Sequence, residues 1–166
     1  MVFTEDGPVF MLLHQLLRLS KYQAMKRLEM LNLKPNQAGI LFILDLAGRL
    51  SQKEIAQKMG ITPPSMTVAL RKLEKTGYIL KEADENDQRI TRIRLSEKGE
   101  DCVKELRQVL EDMDEQLHQG MSAEERLLLR RLLIEMRRNL MQSQDLKGMD
   151  IHSIIGAACK SNQHDF

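Results

Sequence analysis

Residues 83–89, ADENDQR, place three acids and one arginine in a short loop. The flanking residues, 78–82 and 90–95, alternate apolar and polar side chains, which predicts the two strands of a hairpin. A tight turn needs Gly, Asn or Asp, and it does not need an arginine. A guanidinium at a hairpin tip can enter the minor groove of DNA, where negative potential is concentrated. Arg89 is therefore the first candidate for nucleic-acid recognition.

Two short helices precede this hairpin. Ser51 and Glu54 form a capping-box pattern at the start of the first, which Gly60 ends. Thr62 is placed to cap the second, and Gly77 stops it. Two helices joined by a glycine turn predict a helix-turn-helix, and the hairpin makes it a winged one.

The two faces of the second helix differ in chemistry. Small or polar residues near its start would let the backbone approach base edges. The basic side chains further along the helix would reach phosphates. We expect Ser65 and Thr67 to read bases, and Arg71 and Lys72 to contact phosphate. The predicted core of the motif is Ile55, Ala56, Ile61, Met66, Ala69, Leu70 and Leu73.

The strand after the loop combines buried and basic positions. Ile93 and Leu95 alternate with Arg92 and Arg94, so one face should be buried and the other basic and solvated. We expect some phosphate contact from this basic face.

The remaining segments predict the helices that position this module. An apolar stripe covers residues 8–31, and Pro35 opens a helix that is apolar almost all round. Ser96 caps a long helix, and Ser122 opens a Leu-rich one. Heptad spacing along the long helix predicts lengthwise helix packing, hence a dimer: Val103, Leu106, Leu110, Met113 and Leu117. The fold class is mainly α with a small β-wing.

Composition limits the alternatives. The formal net charge is +1, but residues 51–95 hold nine Lys/Arg against six Asp/Glu (+3), and residues 96–142 eight against eleven (−3). The basic middle favours a polyanionic partner. The chain lacks 18 consecutive apolar residues, and acids stand where a signal peptide needs Lys or Arg. We therefore expect a cytoplasmic protein without a membrane span.

The segments LSQKEIAQKMGIT (50–62) and LRKLEKTGYILKEADENDQRITRIRLSEKG (70–99) resemble the MarR family of winged helix-turn-helix regulators. The family pattern is Asp-x-Arg-Asp-x-Arg, then a strand and Leu-Thr-x-Lys-Gly. It is matched at Asp84, Asp87, Arg89, Leu95, Lys98 and Gly99, with Ser96 replacing Thr.

The resemblance implies a homodimeric repressor on a near-palindromic operator, with a small-molecule effector and no cofactor. It places Arg89 in the minor groove and makes Asp87 its orienting acid. The implied effector pocket is Leu13, His14, Leu17 and Phe42. The complete expected DNA-binding set is Thr62, Pro64, Ser65, Thr67, Val68, Arg71, Lys72, Asp87, Arg89 and Arg92.

The chain departs from the family pattern in three places. Asn86 replaces the other common arginine of the wing, Val68 stands where a polar or basic residue is frequent, and residues after about 143 extend beyond the usual end. The expected domains are an N-terminal dimerisation helix (1–34), the DNA-binding lobe (35–95), C-terminal dimerisation helices (96–142) and a tail of unknown role (143–166).

Two other functions stay open. The weak net charge also fits a winged helix that binds a protein partner, and Cys102 or Cys159 would be needed for a redox-sensing regulator. No nucleophile motif or glycine-rich phosphate loop suggests an enzyme, and the four histidines, at 14, 118, 152 and 164, have no metal-ligand spacing.

Overall fold

The computed structural model describes residues 7–85 and 87–149. Asn86, Cys159 and the tail from residue 150, with its two histidines, lie outside the described residues. Within them the chain forms six helices and a three-stranded sheet, in the predicted order apart from one added strand. The elements are α1 (Val9–Met30), α2 (Pro35–Ala47), β1 (Leu50–Ser51), α3 (Gln52–Met59), α4 (Pro63–Lys75), β2 (Ile79–Ala83), β3 (Thr91–Leu95), α5 (Glu97–Leu117) and α6 (Ala123–Met141).

The core of the lobe lies between α2, the helix-turn-helix and the sheet. Ile40 and Leu41 of α2 are fully buried, as predicted for a helix that is apolar almost all round. Of the predicted core residues of the motif, Ile55, Met66, Ala69, Leu70 and Leu73 are buried, and Ala56 and Ile61 pack on the core while partly buried. The hydrophobic pattern of the two helices therefore predicted their packing.

The sheet has the strand order β1-β3-β2 and is antiparallel throughout. In β2 and β3, Ile79 pairs with Leu95 and Ala83 with Thr91, so the hairpin begins and ends within one residue of the predicted strands. The two-residue strand β1 pairs Leu50 with Ile93 and was not predicted. Two residues are too few to show a period of two.

The residues at the junction of β3 and α5 contact the end of α4 and the residues that follow it. The Ser96 hydroxyl donates to the carbonyl of Gly77 at 2.6 Å and accepts from the amide of Gly99 at 3.0 Å, which caps α5 as predicted. Lys98 Nζ donates to the carbonyl of Thr76 at 2.8 Å and lies 4.7 Å from the Tyr78 ring centroid. The Leu-Ser-x-Lys-Gly segment thus attaches the end of α4 to the start of α5.

The first part of α5 belongs physically to the lobe. Cys102, Val103 and Leu106 are members of the same buried cluster as the helix-turn-helix residues. Two of the predicted heptad positions, Leu110 and Leu117, are about half exposed. The domain boundaries given above stay a prediction.

Helices α1 and α6 carry most of the exposed apolar surface. Helix α6 has no buried residue, and α1 buries only Leu28. Both helices are held at few points by the rest of the chain; α1 is tied to α5 by Gln23–Gln116 and by Arg27–Asp112 at 3.2 Å. Across the described part of the chain, no helix is long and apolar enough to cross a membrane.

Candidate nucleic-acid interface

Helix α4 presents most of the residues expected to contact DNA on its exposed side. Thr67, Arg71 and Lys72 are exposed, whereas Met66 and Leu70, on the other face of the helix, are buried. Val68 is 69% exposed. Thr62 and Pro64 are also exposed, and Ser65 is half-buried. The period of 3.6 residues separates the two faces as the sequence predicted.

The start of α4 differs in one detail from expectation. Thr62 occupies the cap position, but its side chain makes no capping hydrogen bond to the helix backbone. Its hydroxyl instead donates to the hydroxyl of Ser65 at 3.1 Å.

Thr67 is held by two hydrogen bonds. Its hydroxyl donates to the carbonyl of Pro63 at 3.0 Å, one turn earlier in α4. The same oxygen accepts a hydrogen bond from Gln52 Nε2, also at 3.0 Å. Gln52 was not among the predicted site residues, because the contact joins two helices 15 positions apart and leaves no local sequence signal.

The wing loop is shaped by two aspartates. Asp84 Oδ1 accepts from the amide of Asp87 at 3.1 Å, and Asp87 Oδ1 accepts from the amide of Arg89 at 3.0 Å. These are the local side-chain-to-backbone bonds by which Asp builds turns. Asp87 therefore orients the Arg89 backbone in this structure, whereas the family resemblance implied an action on the side chain. The Arg89 side chain itself is exposed.

Arg92 is not on a solvated strand face as expected. Its Nε donates to Asp84 Oδ2 at 2.5 Å and its Nη1 to Glu54 Oε2 at 2.8 Å. Only 29% of its side chain is exposed, and only 13% of that of Asp84. Asp84 thus forms the turn through its Oδ1 while its Oδ2 is paired with Arg92, so its carboxylate is not turned to solvent. Glu54 lies within reach of Arg92 because β3 passes the start of α3, which the linear sequence does not show. Asp84 lies within reach because it directly follows β2, which pairs with β3.

Glu54 joins this ion pair to the start of α3. Its Oε2 accepts from the hydroxyl of Ser51 at 2.6 Å and the amide of Ser51 at 2.7 Å, as in the predicted capping box. Those two hydrogen bonds, and the nearby Arg92 charge, lower the pKa of Glu54. The hydrogen bond to Asp84 raises the pKa of Arg92. A continuous chain of polar contacts therefore runs from α3 to the wing loop.

Arg94 and Arg49, which also lie near the wing, form ion pairs as well. Arg94 contacts Glu82 at 2.6 Å, and Arg49 contacts Glu85 at 3.0 Å. By contrast, no ion pair within residues 7–85 and 87–149 involves Arg71, Lys72 or Arg89: these three cations are available to a polyanion. The expected basic strand face is thus largely neutralised, whereas α4 and the wing tip keep exposed cations without an ion pair in the described residues.

The expected effector-pocket residues are not gathered around one described cleft. His14 and Leu17 are exposed on α1, Leu13 is half-buried there, and Phe42 packs on the lobe core. They do not line the clefts at α6, beside α4, around Tyr78 or between α2 and α5. Their role in effector binding stays a prediction.

A different cleft, of about 790 Å³, lies beside helix α4. Its walls come from the α1–α2 turn and from α4, and one buried polar atom there, Asn36 Oδ1, has no hydrogen-bond partner. Four of the expected DNA-binding residues line it: Pro64, Ser65, Val68 and Lys72.

Cys102 is poorly placed for redox sensing. Its side chain is buried in the lobe core, and burial raises the pKa of its thiol. A reactive cysteine needs the opposite, namely exposure and a lowered pKa. The described residues also contain no cluster of three His, Cys, Asp or Glu side chains that could hold a metal ion.

Comparison with known proteins supports the fold and the family resemblance. Residues 33–91 match the model of the MarR family. A solved mutant of MepR from S. aureus is similar over 83% of this chain and 99% of its own, with 26% identity and a TM-score of 0.74. Another MepR mutant, bound to an oligodeoxyribonucleotide, shares 26% identity over 81% of this chain and 99% of its own, with a TM-score of 0.64. Wild-type MarR from E. coli in its apo form shares 20% identity over 80% and 98%, with a TM-score of 0.69.

Proposed function

We propose that this chain, whose residues 33–91 match the model of the MarR family, is a sequence-specific regulator of transcription that binds double-stranded DNA as a homodimer. The observation that carries the proposal is the exposed face of α4. It presents Thr67 and Val68 beside the unpaired cations Arg71 and Lys72. Short side chains followed by cations suit a helix in the major groove. The DNA-bound MepR mutant supports the same reading for a protein of similar fold.

The dimer is proposed from the apolar surface of α1 and α6. Phe10 is 73% exposed and Leu127 is 71% exposed, and these apolar faces of α1 and α6 lie open in the part of the chain that the structure describes. A second copy would bury this surface, and a stable dimer of this kind buries on the order of 2,000 Å² or more. Two lobes related by two-fold symmetry would then meet two half-sites of a near-palindrome.

The spacing between half-sites tests whether the protein binds DNA as a two-fold symmetric dimer. Full-length protein is first used to select bound duplexes from a random library, and the selected operator is then altered by inserting five base pairs between its half-sites. The insertion turns one half-site to the opposite face of the duplex, so tight binding should be lost, whereas a ten-base-pair insertion should cost less. Binding that ignores spacing would contradict the model. Absence of any salt-dependent shift on duplex DNA would favour the protein-interaction alternative.

The α6 surface gives a separate test of the dimer. Leu132 is 43% exposed on α6, so Leu132→Asp should give a folded monomer in light scattering. Arg131→Ser, at the adjacent exposed position, is the control and should remain dimeric. Leu106 is unsuitable for this purpose because it lies in the lobe core at 2% exposure. A monomeric wild type at micromolar concentration would overturn the proposal.

We further propose that the regulator is a repressor released by a small molecule in the cleft beside α4. A ligand there would contact Pro64, Val68 and Lys72, which are also needed by DNA, so binding of the two would compete. Asn36 lines the cleft, and its buried Oδ1 is an unused acceptor that a ligand donor would reach once the side chain turns towards the cleft. A compound that raises the melting temperature and releases the operator should lose both effects in Asn36→Leu, while operator binding itself persists. A releasing compound that still acts on Asn36→Leu would place the effector elsewhere.

A further inference from the structure

Two exposed side chains on different helices, Gln52 and Thr67, form one hydrogen-bonded pair. Gln52 is the first residue of α3, and its Nε2 lies 3.0 Å from Thr67 Oγ1 on the outer face of α4. The Thr67 hydroxyl proton is already used, since it is donated to the carbonyl of Pro63 at 3.0 Å. Thr67 therefore has no donor left for a base, and what it presents outward is mainly its methyl group.

Gln52 keeps the polar groups that Thr67 lacks. One N–H of its amide is engaged by Thr67, and the second N–H and Oε1 make no hydrogen bond within the described residues. One donor beside one acceptor on a planar amide matches N7 and N6 of adenine in the major groove. A threonine methyl matches the C5-methyl of thymine. The two side chains together present a surface suited to A·T base pairs.

We propose that Gln52 is a specificity-determining residue that acts with Thr67 as one reading unit for adenine in each operator half-site. The inference rests on the proposed function, namely that α4 enters the major groove. The hydrogen bond to Thr67 also restrains a long side chain before DNA arrives, which reduces the entropy lost on binding. The recognition surface thereby includes a residue from the first helix of the motif.

Base preference is the property to measure. Full-length wild type, Gln52→Ala and Gln57→Ala are each used to select duplexes from a random library. Gln57 is the matched control, being an exposed glutamine of the same helix without a hydrogen bond to α4 in the described structure. Wild type and Gln57→Ala should select the same motif. Gln52→Ala should lose the preference for adenine at one position of each half-site, by on the order of tenfold, and keep the others.

Coupling between the two side chains is tested on the selected operator at fixed salt. Thr67→Val removes the hydroxyl and keeps the shape, so it should also weaken the adenine preference. If Gln52 and Thr67 act as a unit, the double variant should lose no more affinity than the more affected single variant. Additive losses would show two independent contacts and overturn the reading unit.

Gln52→Glu keeps the side-chain length and replaces the amide donor by a carboxylate. It should shift preference at the same position from adenine towards cytosine, whose N4 donates to carboxylates. Three results would overturn the inference: an unchanged motif and affinity for Gln52→Ala, equal weakening on all sequences including random DNA, or no shift for Gln52→Glu with a wild-type melting curve. A wild type that selects no motif would instead contradict the proposed function.

Discussion

Asp84 and Arg92 form the tightest contact of the wing, with Oδ2 and Nε 2.5 Å apart and both side chains largely shielded from water. The pair links the end of the hairpin loop to the middle of the sheet. Because Arg92 also holds Glu54 at 2.8 Å, the wing is attached to the capping residues of α3. In the proposed DNA complex such an attachment would hold the wing tip at a fixed distance from α4, so that the two could enter neighbouring grooves together.

Replacing Arg92 should therefore destabilise the lobe. Arg92→Ala removes the guanidinium between two acids, of which Asp84 is only 13% exposed. The free energy of unfolding should fall, because Asp84 and Glu54 both lose the hydrogen-bond donor that they share. Arg92→Lys should lie between alanine and wild type, because one ammonium does not reproduce the fork of a guanidinium. Urea titrations at pH 7 make the comparison. A wild-type midpoint for Arg92→Ala would show that the contacts of Arg92 with Asp84 and Glu54 add no stability.

Low pH should weaken the contacts of Glu54 with Ser51 and Arg92. Hydrogen bonds from the side chain and amide of Ser51, together with Arg92, lower the pKa of Glu54 below its ordinary value of 4.5. The ionised form is thus favoured in the folded state, so its contribution is complete above about pH 4.5 and is lost as the pH falls through the lowered pKa. Glu82 follows the same direction because its hydrogen bond from Arg94 lowers its pKa.

Melting curves between pH 7 and pH 3 test this expectation. Glu54→Gln should be less stable than wild type at pH 7, and the difference should shrink on acidification. Glu111→Gln, an exposed position on α5, is the control and should follow wild type. A constant difference across the range would mean that the Glu54 charge does not contribute.

Local sequence signals predicted the elements well and the polar contacts poorly. The capping boxes at Ser51 and Ser122 were confirmed, because each involves residues three positions apart. Arg92–Glu54 and Gln52–Thr67 join residues 38 and 15 positions apart. Such pairs depend on how helices and strands cross, so the sequence suggested exposed cations where the fold places ion pairs.

The heptad pattern of α5 was also informative only in part. Leu106 and Met113 are buried by their own chain, whereas Leu110 and Leu117 remain about half exposed. A spacing of 3.5 residues predicts that one stripe meets another helix, but it does not say whether that helix belongs to the same molecule. The candidate effector residues on α1 were uncertain for the same reason, since a partner copy decides what covers them.

Gly99 should tolerate no side chain. A Cβ at this position would lie 2.1 Å from the carbonyl oxygen of Tyr78, and that oxygen is fixed by the amide of Ser96 at 3.0 Å. Gly99→Ala must therefore displace α5 from the end of α4, at a cost of about 1–3 kcal/mol or more. Gly39→Ala is the matched control, because its Cβ would meet only the flexible end of Met59 at 2.9 Å. Equal melting temperatures for the two variants would contradict this reading of the segment.

Arg89 should matter for binding and not for folding. Its side chain is exposed and has no ion pair among the described residues, while its backbone amide, which any residue would supply, makes the turn contact with Asp87. Arg89→Ala should keep the dimer and the melting temperature, and should weaken operator binding by about 1–3 kcal/mol, as other specific arginine contacts do. Gln88→Ala truncates the adjacent exposed side chain without removing charge, and it should bind nearly as wild type.

The Arg89 experiment is a titration of wild type and both variants against the selected operator at several salt concentrations, with melting curves alongside. Loss of one cation from the interface should lower the salt slope by about one unit. Asp87→Ala should weaken binding less than Arg89→Ala, since it loosens the loop but also removes a charge that repels phosphate. Wild-type affinity for Arg89→Ala would mean that the Arg89 side chain does not contribute to operator binding. A much lower melting temperature would mean that Arg89 is needed for the fold.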